Sequence, residues 1–141
     1  MNIAHSIWQA KVRDYELDFQ GIVNNAHYFH YLDYARSCHL SQVGGSLVAY
    51  AGKGINIVVV KTCLSFKKSL YSGDEFTVDS YFYRVSKFKF SFEQKIYNLR
   101  SNELILEATT LIAAIDTRTG KPTLIHEFDA MEIDKSRSLG R

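Results

Sequence analysis

Residues 14–28 bring a carboxylate close to the predicted start of a helix. Asp18 lies in a turn with Gly21, and the pair Asn24 and Asn25 then begins an aromatic-striped segment with helical spacing. A helix N-terminus offers unpaired backbone N–H groups and a partial positive charge. A carboxylate that attacks or activates water, beside an N–H group that stabilises an oxyanion, can perform acyl transfer. The stretch therefore predicts an acyl-transfer site.

One strand, one long helix and four or five further strands are predicted to position this site. Residues 3–12 alternate as a strand does. The helix begins at Asn24 or Asn25, either of which can cap it, and Gly44-Gly45 ends it. Its apolar stripe comprises Tyr28, Tyr31, Leu32, Ala35, Cys38 and Val43. Further strands are predicted over residues 55–66, 76–82, 87–97 and 104–115, with a short one at 123–125 and a polar tail from about 129.

This order predicts an α+β fold in one domain, residues 1–141, with a helix across one face of an antiparallel sheet. In the first strand after the helix, Val58, Val60, Leu64 and Phe66 are expected to share a face. Phe76, Val78 and Phe82 should do so in the next strand, and Phe88, Phe90, Phe92 and Ile96 in the one after it. The helix covers only one face of the sheet. Burying the other is expected to require a second subunit.

Composition excludes several classes of protein. The formal net charge of +2 is too small to indicate a nucleic-acid partner. No window approaches the roughly 20 apolar residues of a membrane helix, and the N-terminus does not resemble a secretory signal. Cys38 and Cys63 form no zinc or redox motif, so we expect reduced, buried thiols and a cytoplasmic location.

Three motifs, in the expected order, resemble those of a known family. The pattern D-x-x-G-x-V-x-x-x-x-Y followed by A-R resembles the 4-hydroxybenzoyl-CoA thioesterase branch of the hotdog-fold acyl-CoA thioesterases. It is carried by Asp18, Gly21, Val23, Tyr28, Ala35 and Arg36. Gly54-Ile55 with Val58-Val59 resembles the family's strand after the helix. Residues 70–74 resemble its P-x-x-x-G-D turn, with Leu70 near the place of the usual proline. The resemblance spans residues 12–115.

The resemblance implies a hotdog fold, an antiparallel sheet of about six strands wrapped around one long central helix. It implies homodimers that join two sheets, often paired into homotetramers, with acyl-CoA hydrolysed at sites between subunits and no cofactor. Asp18 matches the catalytic carboxylate, as nucleophile or general base. Asn25 matches the residue whose main-chain N–H polarises the thioester carbonyl. Dehydratases, acyl-carrier-protein thioesterases and non-catalytic acyl binders share the architecture, so the fold alone does not decide the activity.

Other residues are candidates for binding the substrate, and each also has a purely structural explanation. Gly21, Tyr15, His27 and Tyr28 would shape the acyl pocket, or instead serve a turn, the core or a dimer interface. Four residues near a strand–strand turn would meet the phosphates of CoA, or form an ordinary exposed basic turn. These four are Arg84, Ser86, Lys87 and Lys89.

Two alternatives concern metal binding and the acyl carrier. His27, His30 and Asp33 have spacing that suggests a metal-binding face, but no further ligand with matching spacing is evident, so we expect no metal. The run V-N-N-A-H-Y resembles acyl-carrier-protein thioesterases, which makes acyl carrier protein an alternative partner to CoA. A non-catalytic acyl-binding module is a third reading, against which the presence of Asp18 counts. His5, His39 and His126 are expected to be ordinary surface or packing residues.

Overall fold

The computed structural model describes residues 4–42, 47–125, 128 and 133–134. The helices and strands, in chain order, are β1 (His5–Lys11), a 3₁₀ turn (Asp14–Glu16), α1 (Asn25–Gln42), α2 (Leu47–Gly52), β2 (Ile55–Phe66), β3 (Glu75–Arg84), β4 (Lys89–Asn98) and β5 (Leu104–Asp116). The strands form one antiparallel sheet in the order β1-β3-β4-β5-β2. None of the helices in the described ranges is long and apolar enough to cross a membrane.

The described sheet has five strands, whereas the sequence predicted about six. Residues 123–125 add no strand, because the contacts with β5 here are a single bridge between Ile115 and Pro122 and the bond from Thr123 N to Ala114 O. Helix α2 was not predicted, since six residues are too few for a clear helical period. The predicted stop at Gly44-Gly45, His126 and most of the polar tail lie outside the described residues.

The core lies between α1 and one face of the sheet. Phe76, Val78 and Phe82 of β3 are buried, and Phe90, Phe92 and Ile96 of β4 are buried beside them, as their alternation predicted. The buried side chains of α1 are Tyr28, Tyr31, Leu32, Ala35, His39 and Leu40. The stripe thus passes through His39 and Leu40 in the last turns, with Cys38 only half-buried.

The predicted face of β2 is wrong for Val58 and Val60. The register with β5 shifts between Val59 and Lys61, so one extra residue enters β2 and the alternation changes there. Before the shift Ile55 and Ile57 pack against the core, and after it Leu64 does. Val58, Val59 and Val60 lie exposed on this edge strand.

A polar network fastens α1 to the centre of the sheet. Arg36 Nη1 donates to Gln94 Oε1 over 3.0 Å, and Gln94 Nε2 donates to Leu32 O and to Ser80 Oγ over 3.1 and 3.0 Å. Burial lowers the pKa of Arg36, and the charge of Asp33 opposes that shift. The arginine of the A-R motif therefore holds the helix in place on the sheet.

The prediction of buried cysteines is wrong for Cys63 and holds only in part for Cys38, which is half-buried. Cys63 is exposed because side chains alternate along β2, and its neighbour Leu64 lies on the face that packs against the core. The predicted packing role of His39 is clearer. Its side chain is fully buried, Nδ1 lies 2.5 Å from Ser6 Oγ, and its ring packs against Phe82 and Phe92.

Candidate active site

Asp18 lies at the start of a tight turn that leads into α1. Leu17 bridges to Val23, and inside that bridge Asp18 N donates to Ile22 O over 2.8 Å. One carboxylate oxygen, Oδ1, accepts the N–H of Gln20 over 2.8 Å. Within the described ranges no residue donates a hydrogen bond to Oδ2. The half-buried side chain is thus held at one oxygen, which leaves the other available to a substrate.

Gly21 closes this turn with a backbone φ of +82°. Its N–H donates to Asp18 O over 3.0 Å. A Cβ at this position would meet no atom within 4 Å, so space does not require a glycine. The left-handed backbone conformation does favour a glycine, because residues with a side chain rarely adopt it. The turn explanation for Gly21 is therefore sufficient in a single chain.

The first turn of α1 leaves one backbone donor open. Asn24 caps the helix, since its Oδ1 accepts the N–H of Ala26 and its main-chain oxygen accepts that of His27, each over 2.9 Å. Asn25 is the first helical residue. No acceptor for its N–H is found in the part of the chain that the structure describes. The N–H of Asn25, the predicted oxyanion donor, is thus positioned by the helix cap that Asn24 forms.

A cavity of about 310 Å³ opens beside this donor. Its lining consists of Ile22, Val23, Asn25, Tyr28, Phe66, Lys67, Lys68 and Ser69. Burial raises the pKa of Tyr28, and the hydrogen bond with the backbone of Leu70 opposes that shift. Tyr28 Oη accepts the N–H of Leu70 over 3.0 Å. The lining therefore combines the apolar side chains of Ile22, Val23 and Phe66 with the cationic Lys67 and Lys68.

Of the four predicted pocket residues, Tyr28 lines this cavity, whereas Gly21, Tyr15 and His27 do not, and neither does Asp18. Tyr15 is exposed, and its hydroxyl accepts the guanidinium N–H of Arg13 over 2.7 Å. His27 is half-buried and faces Glu16 and the ring of His30. Asn25 and Tyr28 thus line the cavity together, whereas Asp18 and Gly21 lie in the turn that leads into its lining at Ile22 and Val23.

The predicted CoA-binding residues lie at the opposite end of β3 from the Asp18 turn. Val23 N donates to Leu70 O and Ile22 bridges to Tyr71, so the Asp18 turn contacts the segment that precedes β3. Arg84, Ser86, Lys87 and Lys89 lie at or after its last residue. Ten residues of strand span roughly 30 Å. Within one protomer the two regions therefore do not form a single site.

Arg84 also has a structural task. Its Nε donates to Ser86 O over 3.2 Å and its Nη2 donates to Lys87 O over 2.9 Å. The guanidinium thereby braces the turn between β3 and β4, while the side chains of Lys87 and Lys89 stay exposed. The lysines are more available to a phosphate than the arginine is.

Sequence reasoning missed Glu16, which is buried at 8% exposure beneath the Asp18 turn. Its Oε1 accepts the N–H of Arg13 and the hydroxyl of Tyr31, each over 2.8 Å. Its Oε2 lies 3.9 Å from Nδ1 of His27. The signal available in the sequence was a glutamate three residues after Arg13, the spacing at which a carboxylate reaches back to a backbone N–H group.

Comparisons with known proteins show the family to which the chain belongs. A family model described as the thioesterase-like superfamily matches residues 12–131. Two chloroplastic acyl-acyl carrier protein thioesterases of Arabidopsis thaliana are 34% and 32% identical over 78% and 83% of this chain. The matches cover 58% and 62% of those proteins, so this chain spans less than two thirds of their length.

A solved structure shares the architecture. The chain superposes on a 1,4-dihydroxy-2-naphthoyl-CoA thioesterase from Synechocystis with a TM-score of 0.84 at 20% identity. The match covers 88% of this chain and 92% of that one. This likeness, with the antiparallel sheet and the long helix α1, confirms the predicted hotdog fold.

Proposed function

Because this chain belongs to the thioesterase-like superfamily, we propose that it hydrolyses an acyl-CoA thioester to the free acid and CoA. One observation carries the proposal. The turn that holds the Asp18 carboxylate leads within seven residues to Asn25, whose N–H group has no acceptor among the described residues. A negative oxygen and a fixed backbone donor on either side of a carbonyl are what thioester cleavage needs.

In the proposed reaction the carbonyl oxygen of the thioester accepts the N–H of Asn25. Asp18 either attacks the carbonyl carbon to form a mixed anhydride, which water then hydrolyses, or removes a proton from the water that attacks. Both routes pass through an oxyanion that the helix N-terminus stabilises. The thiolate of CoA leaves and takes up a proton. Neither route needs a metal or another cofactor.

The second candidate is a thioesterase that acts on acyl carrier protein. The observation that favours it is the similarity to the two Arabidopsis thaliana enzymes, whose names state that substrate. The acyl end of the substrate would meet Asp18 and Asn25 in the same way with either carrier. The proposed difference lies in what contacts the surface outside the cavity.

We also propose that the complete site needs a second copy of the chain. Phe19 is 97% exposed beside Asp18, and Tyr71 is exposed nearby. The basic turn is too far away to serve the same protomer, so a second copy would bring its own turn to the CoA phosphates. The exposed edge of β2 suits pairing with another chain. We propose a homodimer, further paired into a tetramer, in the cytoplasm.

The test is thiol release from one acyl group carried by CoA or by acyl carrier protein. We expect the wild type to release thiol and Asp18→Asn to lose at least about 100-fold in kcat, because a general base contributes on that order. Asp33→Asn serves as the matched control, since Asp33 is exposed on α1 and, among the described residues, pairs with Arg36 alone over 3.5 Å.

The outcomes separate the candidates. Faster release from CoA supports the first candidate, and faster release from acyl carrier protein supports the second. Ligand binding without release from either carrier would contradict both and favour the non-catalytic acyl-binding module. Near wild-type turnover by Asp18→Asn would refute the role given to that carboxylate.

A further inference from the structure

We infer that Glu16 is the positioning residue of this site, because its carboxylate and its main chain together fix the Asp18 turn against the start of α1. The inference rests on the proposed function, because an effect of Glu16 on turnover presupposes that Asp18 and Asn25 act in hydrolysis. Glu16 does not line the cavity beside Asn25; it lies instead in the wall of a separate cavity of about 1040 Å³, with Tyr31 and Tyr34. Its effect would pass through Asp18, two residues further along the chain, and through Asn25, the first residue of α1.

The side chain of Glu16 joins two segments. Its Oε1 accepts the N–H of Arg13, at the entrance to the 3₁₀ turn, and the hydroxyl of Tyr31, in the second turn of α1. The two contacts measure 2.8 Å each. A carboxylate that is 8% exposed and holds two donors on one oxygen restrains both segments. Burial raises the pKa of Tyr31 and so does Glu16, which keeps the phenol protonated as the donor.

The main chain of Glu16 makes the second connection. Its carbonyl oxygen accepts the N–H of Asn24 over 2.9 Å. Asn24 is the helix cap, and Asn25 with its open N–H group follows directly. Glu16, which precedes the Asp18 turn, is therefore bonded to Tyr31 within α1 and to Asn24, the residue that caps α1. Asp18 itself lies between these connections, so the turn has little freedom to move relative to Asn25.

Catalytic groups must be held closely for this arrangement to help, because a displacement of about 1 Å can cost on the order of 100-fold in rate. Neither Asp18 nor Asn25 is connected to the core by its own side chain in the described residues. The buried hydrogen bond between Tyr31 and Glu16 supplies that connection to the core. The restraint gives a reason for a carboxylate that is buried here without lining the cavity beside Asn25.

The test compares Glu16→Leu, Glu16→Gln and Tyr31→Phe in the full chain, by kcat, KM and amide hydrogen exchange. Glutamine keeps an oxygen that can accept both bonds, whereas leucine removes them. We expect kcat per folded protein to fall about 10- to 100-fold in Glu16→Leu, with KM within about threefold. Tyr31→Phe should lose less, and Glu16→Gln should stay within about threefold of wild type. Tyr34→Phe, on the exposed side of the same helix, is the control.

Hydrogen exchange gives a readout that does not depend on activity. The amides of Asp18 and Asn24 should exchange at least about tenfold faster in Glu16→Leu, while amides in the middle of β4 keep their rates. Unchanged kcat in both Glu16→Leu and Tyr31→Phe, or equal damage in Glu16→Gln and Glu16→Leu, would overturn the inference. A wild type that releases no thiol would overturn the proposed function, and unchanged exchange would separately overturn the restraint.

Discussion

At the scale of single residues, the proposed site combines one partly restrained carboxylate with one open backbone donor. Asp18 keeps Oδ2 without a hydrogen-bond donor among the described residues, while Gln20 N holds Oδ1. Asn25 contributes its main chain rather than its side chain. A side chain at position 25 can therefore vary without loss of the proposed donor, whereas a side chain at position 18 cannot.

Tyr28 supports the cavity wall through one buried hydrogen bond. Its Oη accepts the N–H of Leu70 over 3.0 Å. We predict that Tyr28→Phe lowers the free energy of unfolding by about 1–3 kcal/mol, because a buried N–H group loses its acceptor. Chemical denaturation measures this change. Tyr81→Phe is the control because that ring is 40% exposed, and equal stabilities of the two variants would contradict the assignment.

The sequence predicted Asp18, Gly21, Asn25 and Tyr28, together with Tyr15 and His27, because these residues are close along the chain at a turn and a helix end. It could not place Glu16, because burial depends on the distant contact with Tyr31. The positions of Tyr15 and His27 depend likewise on where the turn directs each side chain, which residue spacing does not determine.

At the scale of elements, the N-terminus of α1 is the part that must be placed accurately. Asn24 and Asn25 are identical residues with different tasks. We predict that Asn24→Ala costs about 1 kcal/mol of stability and lowers turnover, because the cap is lost. Asn25→Ala should keep kcat within about threefold, because its main-chain donor remains.

This pair of variants is measured by thermal unfolding and thiol release side by side. Each variant is the control of the other, since both remove the same amide group one residue apart. A larger loss of turnover in Asn25→Ala than in Asn24→Ala would assign the function to the Asn25 side chain and contradict the backbone donor.

The strands were predictable where alternation is unbroken. In β3 and β4 the alternating apolar residues all face the core, so a period of two gave the correct face. These residues are Phe76, Val78, Phe82, Phe90, Phe92 and Ile96. In β2 the shift between Val59 and Lys61 reverses the face halfway along the strand, and branched apolar residues on both sides conceal it. Helix α2 is too short to produce a period at all.

At the scale of the whole molecule, two features suggest that the active form contains more than one protomer. They are the apolar edge strand β2 and the basic turn between β3 and β4, which lies far from Asp18. Val59 is 51% exposed on β2, with Val58 and Val60 exposed beside it. Edge strands with apolar side chains pair readily with other chains. The second subunit therefore stays a prediction, and we expect it to pair with the edge strand β2.

We predict that Val59→Glu converts the proposed dimer to monomer and abolishes thiol release without unfolding the chain. A charge at the centre of a strand pair is costly to bury. Light scattering reports the mass, and Ile7→Glu on the opposite edge strand β1 is the control, since Ile7 is 59% exposed. A monomeric wild type with full activity would contradict the shared site.

The most direct test of the central claim separates binding from chemistry at Asp18. It measures kcat on an acyl-CoA together with the Kd of the matching thioether analogue, which cannot be hydrolysed, for wild type and Asp18→Asn. We predict that kcat falls at least about 100-fold while Kd changes less than about threefold. Retained kcat, or a loss that appears entirely in Kd, would show that this carboxylate does not act on the thioester carbonyl.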